Sequence, residues 1–376
     1  MVEWVFWSSA AAVAYAYAGY PLVLWALGRW RGLRRVAAGS GPLPSVSLVV
    51  PVHNERAVID AKLENTRALR YPAGGLEVLF ISDGSTDGTA ERIRAQAETG
   101  VGLIVLSNRG GKAAALNAGL EAARHEIVVF SDASIMLAPE ALEAIVAPFQ
   151  DPQIGCVSGE DWIPAGGGEG LYGRYELFLR RQESELYSIV GASGSFYAQR
   201  RSLCEPFVPS VAPDFLSVLR TVERGYRAVT EPAATGTMTA LSSAADEFRR
   251  KVRTILRGLT TLAKHRSLLD PFRYGLFSFE LFSHKLMRWL VPFLLLAMLG
   301  SSLALARGSV WYAAVLVLQL AFYALALAAF SNSRALGSLL PVKISVYFTT
   351  VNLATLSAWL KFVAGARQEL WSPSRR

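Results

Sequence analysis

Apolar residues crowd the two ends of the chain, and the middle alternates between short apolar runs and polar, helix-like stretches. Val5 to Leu27 is almost wholly apolar. A helix rising about 1.5 Å per residue needs about 20 residues to cross a hydrocarbon core of ~30 Å. Glu3 precedes this run, and Arg29, Arg31, Arg34 and Arg35 follow it. A signal peptide carries its positive charge before the apolar core, so the run reads as a span and not as a leader. The positive-inside rule then places the N-terminus outside and the next domain in the cytoplasm. Tyr20-Pro21 is a candidate kink. Near the other end, Trp289 to Ala306 and Val310 to Phe330 are long enough to span. Ile344 to Leu360 carries Asn352 and several hydroxyls, and reads as a weaker span or as a segment packed on the others. If it spans, Arg367, Arg375 and Arg376 end outside, against the positive-inside rule.

Between these ends, Ser47–Val52, Glu77–Ser82, Val101–Leu106 and Glu126–Phe130 read as strands, with helices over Arg56–Leu69 and Ala113–Ala123. Ile154–Ser158 and Gly194–Ala198 are further strands, and Gly166-Gly167-Gly168 marks a loop. This rhythm predicts an α/β domain with a Rossmann-like, mostly parallel sheet covered by helices on both faces. Asp246 to Lys264 differs. Phe248, Val252, Ile255, Leu259 and Leu262 form one stripe, and Arg250, Arg253 and Arg257 another. A basic amphipathic helix of this kind lies flat on a membrane surface, and Phe277–Leu286 is read as a second. The expected organisation is an N-terminal transmembrane helix with its basic flank (1–35), an α/β domain (45–240), interfacial helices (241–286) and C-terminal transmembrane helices (287–376).

Composition supports a membrane protein with a folded domain. Of 376 residues 52% are hydrophobic and 18% charged, against about 25% charged in an ordinary soluble domain. The net charge is +8, and the arginines stand beside apolar runs. That placement suits a cytoplasmic membrane face or an anionic diphosphate, and no nucleic-acid partner is expected. Two cysteines, Cys156 and Cys204, build no disulfide framework or thiolate zinc site. The four histidines show no metal-ligand spacing.

Candidate chemistry gathers at three aspartates, two of them at strand ends. Asp83 follows an apolar strand on a Gly/Ser/Thr turn, Ile81-Ser82-Asp83-Gly84-Ser85-Thr86-Asp87-Gly88-Thr89, where open α/β sheets bind ligands. Asp132 follows the fourth strand in Ser131-Asp132-Ala133-Ser134, and Asp214 lies in Ala212-Pro213-Asp214-Phe215. Each has an ordinary reading on its own. Asp83 and Asp132 could cap turns or helices, Asp214 could be a surface carboxylate, and the arginines could contact lipid head groups.

Taken in order, these stretches resemble the membrane-bound family 2 glycosyltransferases, the inverting type with a GT-A fold, whose members include cellulose, hyaluronan and poly-N-acetylglucosamine synthases. The resemblance begins at Val49-Val50-Pro51-Val52-His53-Asn54-Glu55 and runs through Asp83-Gly84-Ser85-Thr86-Asp87 and Asn108-Arg109-Gly110-Gly111-Lys112-Ala113 with Asn117. Asp132-Ala133-Ser134 falls where the family carries Asp-x-Asp. Gly191 to Arg201 resembles its acceptor-side strand, and Asp214 its base. Arg250-Lys251-Val252-Arg253-Thr254 falls where polymer-making members carry Gln-x-x-Arg-Trp, and Trp371-Ser372-Pro373 with Arg375 resembles the end of bacterial members.

The resemblance implies an enzyme that moves a sugar from a nucleotide-diphosphate sugar, expected to be a UDP-sugar, to a saccharide or lipid-linked acceptor. Pro51, Glu55, Asp83, Lys112 and Asn117 would line the donor, with Asp83 accepting from the base. Asp132 and Ser134 would hold Mg2+ or Mn2+, Gly194 and Arg200 would face the acceptor, Asp214 would be the base, and Arg253 with Arg250 would meet the leaving diphosphate. Ser134 replaces the second carboxylate, Pro213 an acid, Arg250 the glutamine, and Thr254 the tryptophan that helps hold a growing chain. Exopolysaccharide or cell-envelope glycan synthesis at the bacterial inner membrane, with synthase-complex subunits as further partners, is the leading expectation. Single transfer to a lipid carrier or glycolipid, and a non-catalytic synthase subunit, are the alternatives. A nucleotidyltransferase is disfavoured, since no Gly-rich loop with a catalytic basic residue stands near Pro51 and membrane segments bracket the domain.

Overall fold

The computed structural model describes residues 1–32, 41–96, 101–162, 168–238, 244–331 and 339–366. Arg34, Arg35, Gly166, Gly167, Arg367, Trp371-Ser372-Pro373, Arg375 and Arg376 lie outside the described residues.

A helical run, α1 (Val2–Arg31), opens the chain. Its turns widen to π geometry over Tyr15–Gly19, immediately before Tyr20-Pro21. Proline lacks the N–H that a regular turn would use, and the extra residue per turn absorbs that gap. The α/β domain follows as β1 (Val46–Val52), α2 (Ile59–Arg67), β2 (Leu76–Asp83), α3 (Thr89–Gln96), β3 (Val101–Leu106), α4 (Gly111–Ala122), β4 (Ile127–Ser131), β5 (Ile135–Leu137), α5 (Ala141–Val146), β6 (Ile154–Trp162), α6 (Gly168–Leu186), β7 (Phe196–Arg200), α7 (Pro213–Glu223) and β8 (Arg227–Met238). The strands join in the order β3-β2-β1-β4-β7-β6-β8-β5.

The sheet is more mixed than the β-α-β rhythm predicts. Pairings among β3, β2, β1 and β4 are parallel, as is β6 with β8. Strand β7 runs antiparallel to both β4 and β6, and β5 antiparallel to β8. Strand β1 is buried along its whole length. Val46, Leu48, Val50 and Val52 enter one core with Ile59, Leu63 and Ile93. Val49 enters the opposite core with Ala115, Leu116 and Phe215. Side chains that alternate across a pleated strand need cover on both faces, which the helices give.

Among the described residues, three helices are long and apolar enough to cross a membrane: α1, Leu276–Leu305 and Val310–Ala328. The chain has the makeup of a membrane protein. The basic helix, α8 (Ala244–Lys264), departs from the expected surface pose. Its Val252, Leu256 and Leu259 pack on Ala354 and Ala358 of the last helix (Leu340–Val363), with Trp289 and Trp359 beside them. Protein thus covers its apolar stripe. On Ile344–Leu360 itself, Ala354 and Ala358 are fully buried by that contact, while Ile344, Leu353 and Leu360 are exposed. Phe277–Leu286 is not a second surface helix. It forms the first turns of α9 (Leu276–Leu305), and Phe277 and Leu281 are buried in the core shared with α7. The boundary expected between 286 and 287 therefore falls inside one continuous helix.

Candidate active site

The site lies at the carboxyl ends of the parallel strands, where β1, β2 and β4 release their turns. Asp132 is the first residue after β4. Its N–H donates to the Ser195 carbonyl at 2.9 Å, which ties this turn to the loop before β7. Lys112, the second residue of α4, donates from Nζ to Asp132 Oδ1 at 2.6 Å and to the Gly194 carbonyl at 3.1 Å. A lysine in the first turn of a helix opposes the helix dipole, and the Asp132 carboxylate compensates it. A Cβ added at Gly194 would stand 3.8 Å from the Asp214 carboxyl carbon, so the bare α-carbon of Gly194 faces that carboxylate. Asp214, in the first turn of α7, is partly buried at the cleft. Asp132, Lys112, Gly194 and Asp214 thus form one continuous row.

Burial raises the pKa of Asp214 above the ordinary carboxylate value, against the lowering pull of Lys112, its own backbone, Lys285 and Arg180. From α8, two arginines reach the row electrically. Arg253 is pushed down by burial and by Arg250, while the charge of Asp132 raises it. Arg257 is pushed down to about 10 by burial and by Arg253, with Asp214 acting the other way. Arg250 itself is bonded to Glu247 one turn back, at 3.0 and 2.9 Å.

Asp83 differs from its expected role. It is fully buried, and its two oxygens accept the N–H groups of Gly110 at 2.7 Å and Gly111 at 2.8 Å. It therefore fixes the loop that presents Lys112. Gly84 makes this possible: it has φ +59°, and a Cβ there would stand 2.9 Å from the Arg109 nitrogen. Pro51 is buried in β1 opposite Ile81, past the last β1–β4 pair, Val49 with Phe130. Glu55 is partly buried in the turn after β1, where its N–H donates to Thr89 Oγ1 at 3.0 Å and its carbonyl accepts from Val58 and Ile59. Ser134 shares the Asp132 turn and is partly exposed.

Two expected site residues are structural. Asn117 exchanges two bonds with the Phe207 backbone, at 3.0 and 2.7 Å, and so staples α4 to the loop before α7. Arg200 pairs in register with Ile127, at the opposite end of β4 from Asp132. The four residue steps from Phe196 to Arg200 carry it about 14 Å from the cleft. There it bonds the Ile154 carbonyl at 2.8 Å, the Phe149 carbonyl at 2.6 Å and Glu126 at 2.7 Å. The strand expected over Gly194–Ala198 begins two residues later. Ser193 and Ser195 are drawn off into a turn by their hydroxyl bonds to the Asp161 carboxylate.

Several residues that meet the site were not singled out from the sequence. Lys62 on α2 is fully buried beneath the Asp132 turn. It donates to Ser131 Oγ at 2.9 Å and to the Ile135 carbonyl at 2.7 Å, bracketing Asp132 to Ser134. Burial drives its pKa down to about 7, against the opposing charge of Asp132. Asp161 orders the Gly194 loop, and Lys285 and Arg180 reach Asp214 from elements remote in sequence. An acid pair at the end of a strand, Glu160-Asp161, was a signal open to reading. Nothing local marked the others.

Residues 47–207 match the profile of Glycosyl transferase family 2. Over 109 residues the chain is 35% identical to undecaprenyl-phosphate 4-deoxy-4-formamido-L-arabinose transferase of Pseudomonas aeruginosa (strain LESB58), covering 28% of this chain and 32% of that protein. Over 121 residues it is 38% identical to beta-monoglucosyldiacylglycerol synthase of Nostoc sp., covering 31% of this chain and 26% of that one. The matched stretch therefore spans a third or less of these curated relatives. Among solved structures, the mannosyltransferase PcManGT of Pyrobaculum calidifontis, in complex with GDP-Man and Mn2+, superposes with TM-score 0.74 and 26% identity, covering 96% of this chain and 99% of that one. By its sheet and by these likenesses, the α/β domain of this chain is a Glycosyl transferase family 2 domain over residues 47–207.

Proposed function

We propose that the protein is a membrane-bound, inverting, metal-dependent glycosyltransferase. It moves a sugar from a nucleoside-diphosphate sugar to a hydroxyl of a saccharide or lipid-linked acceptor. The observation that carries this reading is the row Asp132–Lys112–Gly194–Asp214, with one carboxylate for a cation and another for a proton on either side of a lysine.

The residues present fit a hard divalent cation such as Mg2+ or Mn2+. Asp132 already holds a cation, the Lys112 ammonium, at 2.6 Å. Among the described residues no group of three or more His, Cys, Asp or Glu gathers, so the protein would supply Asp132, with Ser134 beside it, and the donor diphosphate would supply the other oxygens. When bound, the ion would neutralise charge on the leaving diphosphate. Lys112, once moved off Asp132, is free to meet a phosphate oxygen.

Asp214 acts as the general base. The acceptor oxygen attacks the anomeric carbon as its proton passes to Asp214, and the bond from that carbon to the diphosphate oxygen breaks with its electron pair leaving on oxygen. A pKa raised by burial makes Asp214 a better base than a free aspartate, provided that it is ionised. One attack with no enzyme nucleophile inverts the anomeric centre. Arg253 adds positive charge on the diphosphate side.

The membrane helices anchor the domain at the cytoplasmic face of the plasma membrane. Thr254 in place of the polymerase tryptophan favours single transfer to a lipid-linked acceptor over polymer synthesis as part of a synthase complex, and the names of the two curated relatives agree with that reading. The donor base is open between uracil and guanine, since PcManGT binds GDP-Man and Asp83 is buried.

The test is nucleotide release by the full chain in nanodiscs, with UDP- and GDP-sugars, Mg2+ or Mn2+, and acceptor-bearing membrane extract. Release with one donor, lost in Asp214→Asn, is the expected result. Folded protein that releases nothing from any donor would instead be a non-catalytic subunit.

A further inference from the structure

The loop Ser193-Gly194-Ser195 bonds the site through its backbone and Asp161 through its side chains. The Gly194 carbonyl accepts from Lys112 Nζ at 3.1 Å, and the Ser195 carbonyl from the Asp132 N–H at 2.9 Å. The two hydroxyls converge on one carboxylate. Ser193 Oγ donates to Asp161 Oδ1, and Ser195 Oγ donates to Asp161 Oδ2 at 2.8 Å. Ser195 Oγ also lies 3.2 Å from Met238 Sδ. A thioether is a weak acceptor, so the single hydroxyl proton goes to the charged oxygen.

The loop is irregular, between α6 and β7, and the glycine at its centre has more backbone freedom than any other residue type. Its shape therefore depends on the bonds on either side. Ser193 Oγ accepts the N–H groups of Ser195 and Phe196, each at 3.1 Å, and gives its own proton to Asp161. Asp161 stands on a rigid base. It is the next-to-last residue of β6 and pairs in register with Gly236 of β8. Its neighbour Glu160 is fully buried and accepts from Arg181 of α6 at 2.8 and 2.7 Å. When a divalent cation takes Asp132 from Lys112, the Gly194 carbonyl is the bond left on the ammonium. The loop thus decides where that charge waits in the cleft.

We infer that Asp161 is a positioning residue for transfer: through the Ser193 and Ser195 hydroxyls it sets the loop that aims the Asp132 turn and the Lys112 ammonium. The inference rests on the transferase reading above. It adds that a carboxylate behind the loop, acting through two serines, governs the rate of the step at the row Asp132–Lys112–Gly194–Asp214.

The test is kcat for nucleotide release by the full chain in nanodiscs, with acceptor-bearing membrane extract and saturating Mn2+ and UDP- or GDP-sugar, per folded molecule and well below the melting temperature. Asp161→Ala should lower kcat by about ten- to a hundredfold, the cost of a misplaced site. Asp161→Asn, which keeps the shape and one oxygen acceptor, should recover most of that loss. Ser195→Ala should lower kcat by roughly three- to tenfold. The double variant with Asp161→Ala should be no slower than Asp161→Ala alone, because both cut the same path. Hydrogen exchange reads the loop without activity: in Asp161→Ala the Asp132 and Phe196 amides should exchange faster. Wild-type kcat in folded Asp161→Ala, or losses that multiply in the double variant, overturns the inference. If Asp161→Ala does not fold, Ser195→Ala decides, and unchanged kcat and exchange in that variant overturn it. A wild-type chain that releases nothing from any donor, while exchange at Asp132 responds to Ser195→Ala, keeps the tie between loop and site and overturns the transferase reading.

Discussion

Removing the Lys112 ammonium should strengthen metal binding while weakening donor binding. In the structure the ammonium sits 2.6 Å from Asp132 Oδ1, on side chains only 14% and 23% exposed. Two unit charges at that distance attract by about 6 kcal/mol at an effective dielectric of about 20, before desolvation is subtracted. Exposed pairs are worth ~0.2–1 kcal/mol net, and loss of one partner from a buried pair costs ~3–5 kcal/mol. This half-buried pair should be worth about 1–2 kcal/mol. A divalent cation must displace that ammonium to reach the same oxygen. Lys112→Gln removes the competitor, so Mn2+ should bind about five- to thirtyfold tighter without nucleotide. The same substitution removes a cation from the donor diphosphate, so nucleoside-diphosphate-sugar affinity should fall at saturating Mn2+. Titration of free Mn2+ by electron paramagnetic resonance, with and without nucleotide, separates the two effects. Unchanged or weaker Mn2+ binding in Lys112→Gln would refute the reasoning and make the pair a structural tie.

Asp214→Asn should abolish transfer, by about 10²–10⁴-fold for loss of a general base, with nucleotide binding kept. Because burial raises the Asp214 pKa, the acid limb of the pH–rate profile should lie above the value of about 3.9 for a free aspartate. A raised carboxyl pKa favours the fold below the unfolded pKa, and this is lost as pH rises through the folded pKa, so the asparagine variant should melt higher at pH 7. Lys62 gives the opposite trend. Its pKa falls from 10.5 to about 7, so between these values the unfolded chain binds the extra proton. Wild-type stability should therefore rise by about 1.4 kcal/mol per pH unit across that window relative to Lys62→Met, as read by melting in detergent from pH 7 to 9. Parallel melting curves would show that Lys62 is not charged in this way. Arg200→Ala should cost about 2–4 kcal/mol of stability by stripping bonds from the Ile154 and Phe149 carbonyls, with KM for the acceptor unchanged in steady-state assays. A raised KM at unchanged melting temperature would return Arg200 to the acceptor side.

The parts legible in the sequence were those written in neighbouring residues. Val46 to Val52, Leu76 to Asp83 and Val101 to Leu106 are apolar runs closed by turn residues, and their strands appear within a residue of the pattern. The strand-end carboxylate Asp132 is local for the same reason, since a turn after a strand places its first side chain at the sheet edge, and Asp214 is local to the Pro213 helix start. Strand β7 and the mixed half of the sheet were harder, because direction is set by what a strand pairs with and not by its own residues. The amphipathic stripe of α8 was plain in sequence, but whether lipid or protein covers it depends on Ala354 and Ala358, about a hundred residues away. Asp83, Asn117 and Arg200 show the same limit. Their residue types fit a site, and only the tertiary structure brings Gly110, Phe207 and Ile154 to occupy them. The sequence by itself determined the elements, the spans and the polar residues at strand ends, because these follow from the periodicity of one segment. Which cations stand around Asp214 was decided by tertiary structure alone, because Lys112, Arg180, Arg257 and Lys285 come from four separate helices, and only folding brings their charges within reach of one carboxylate.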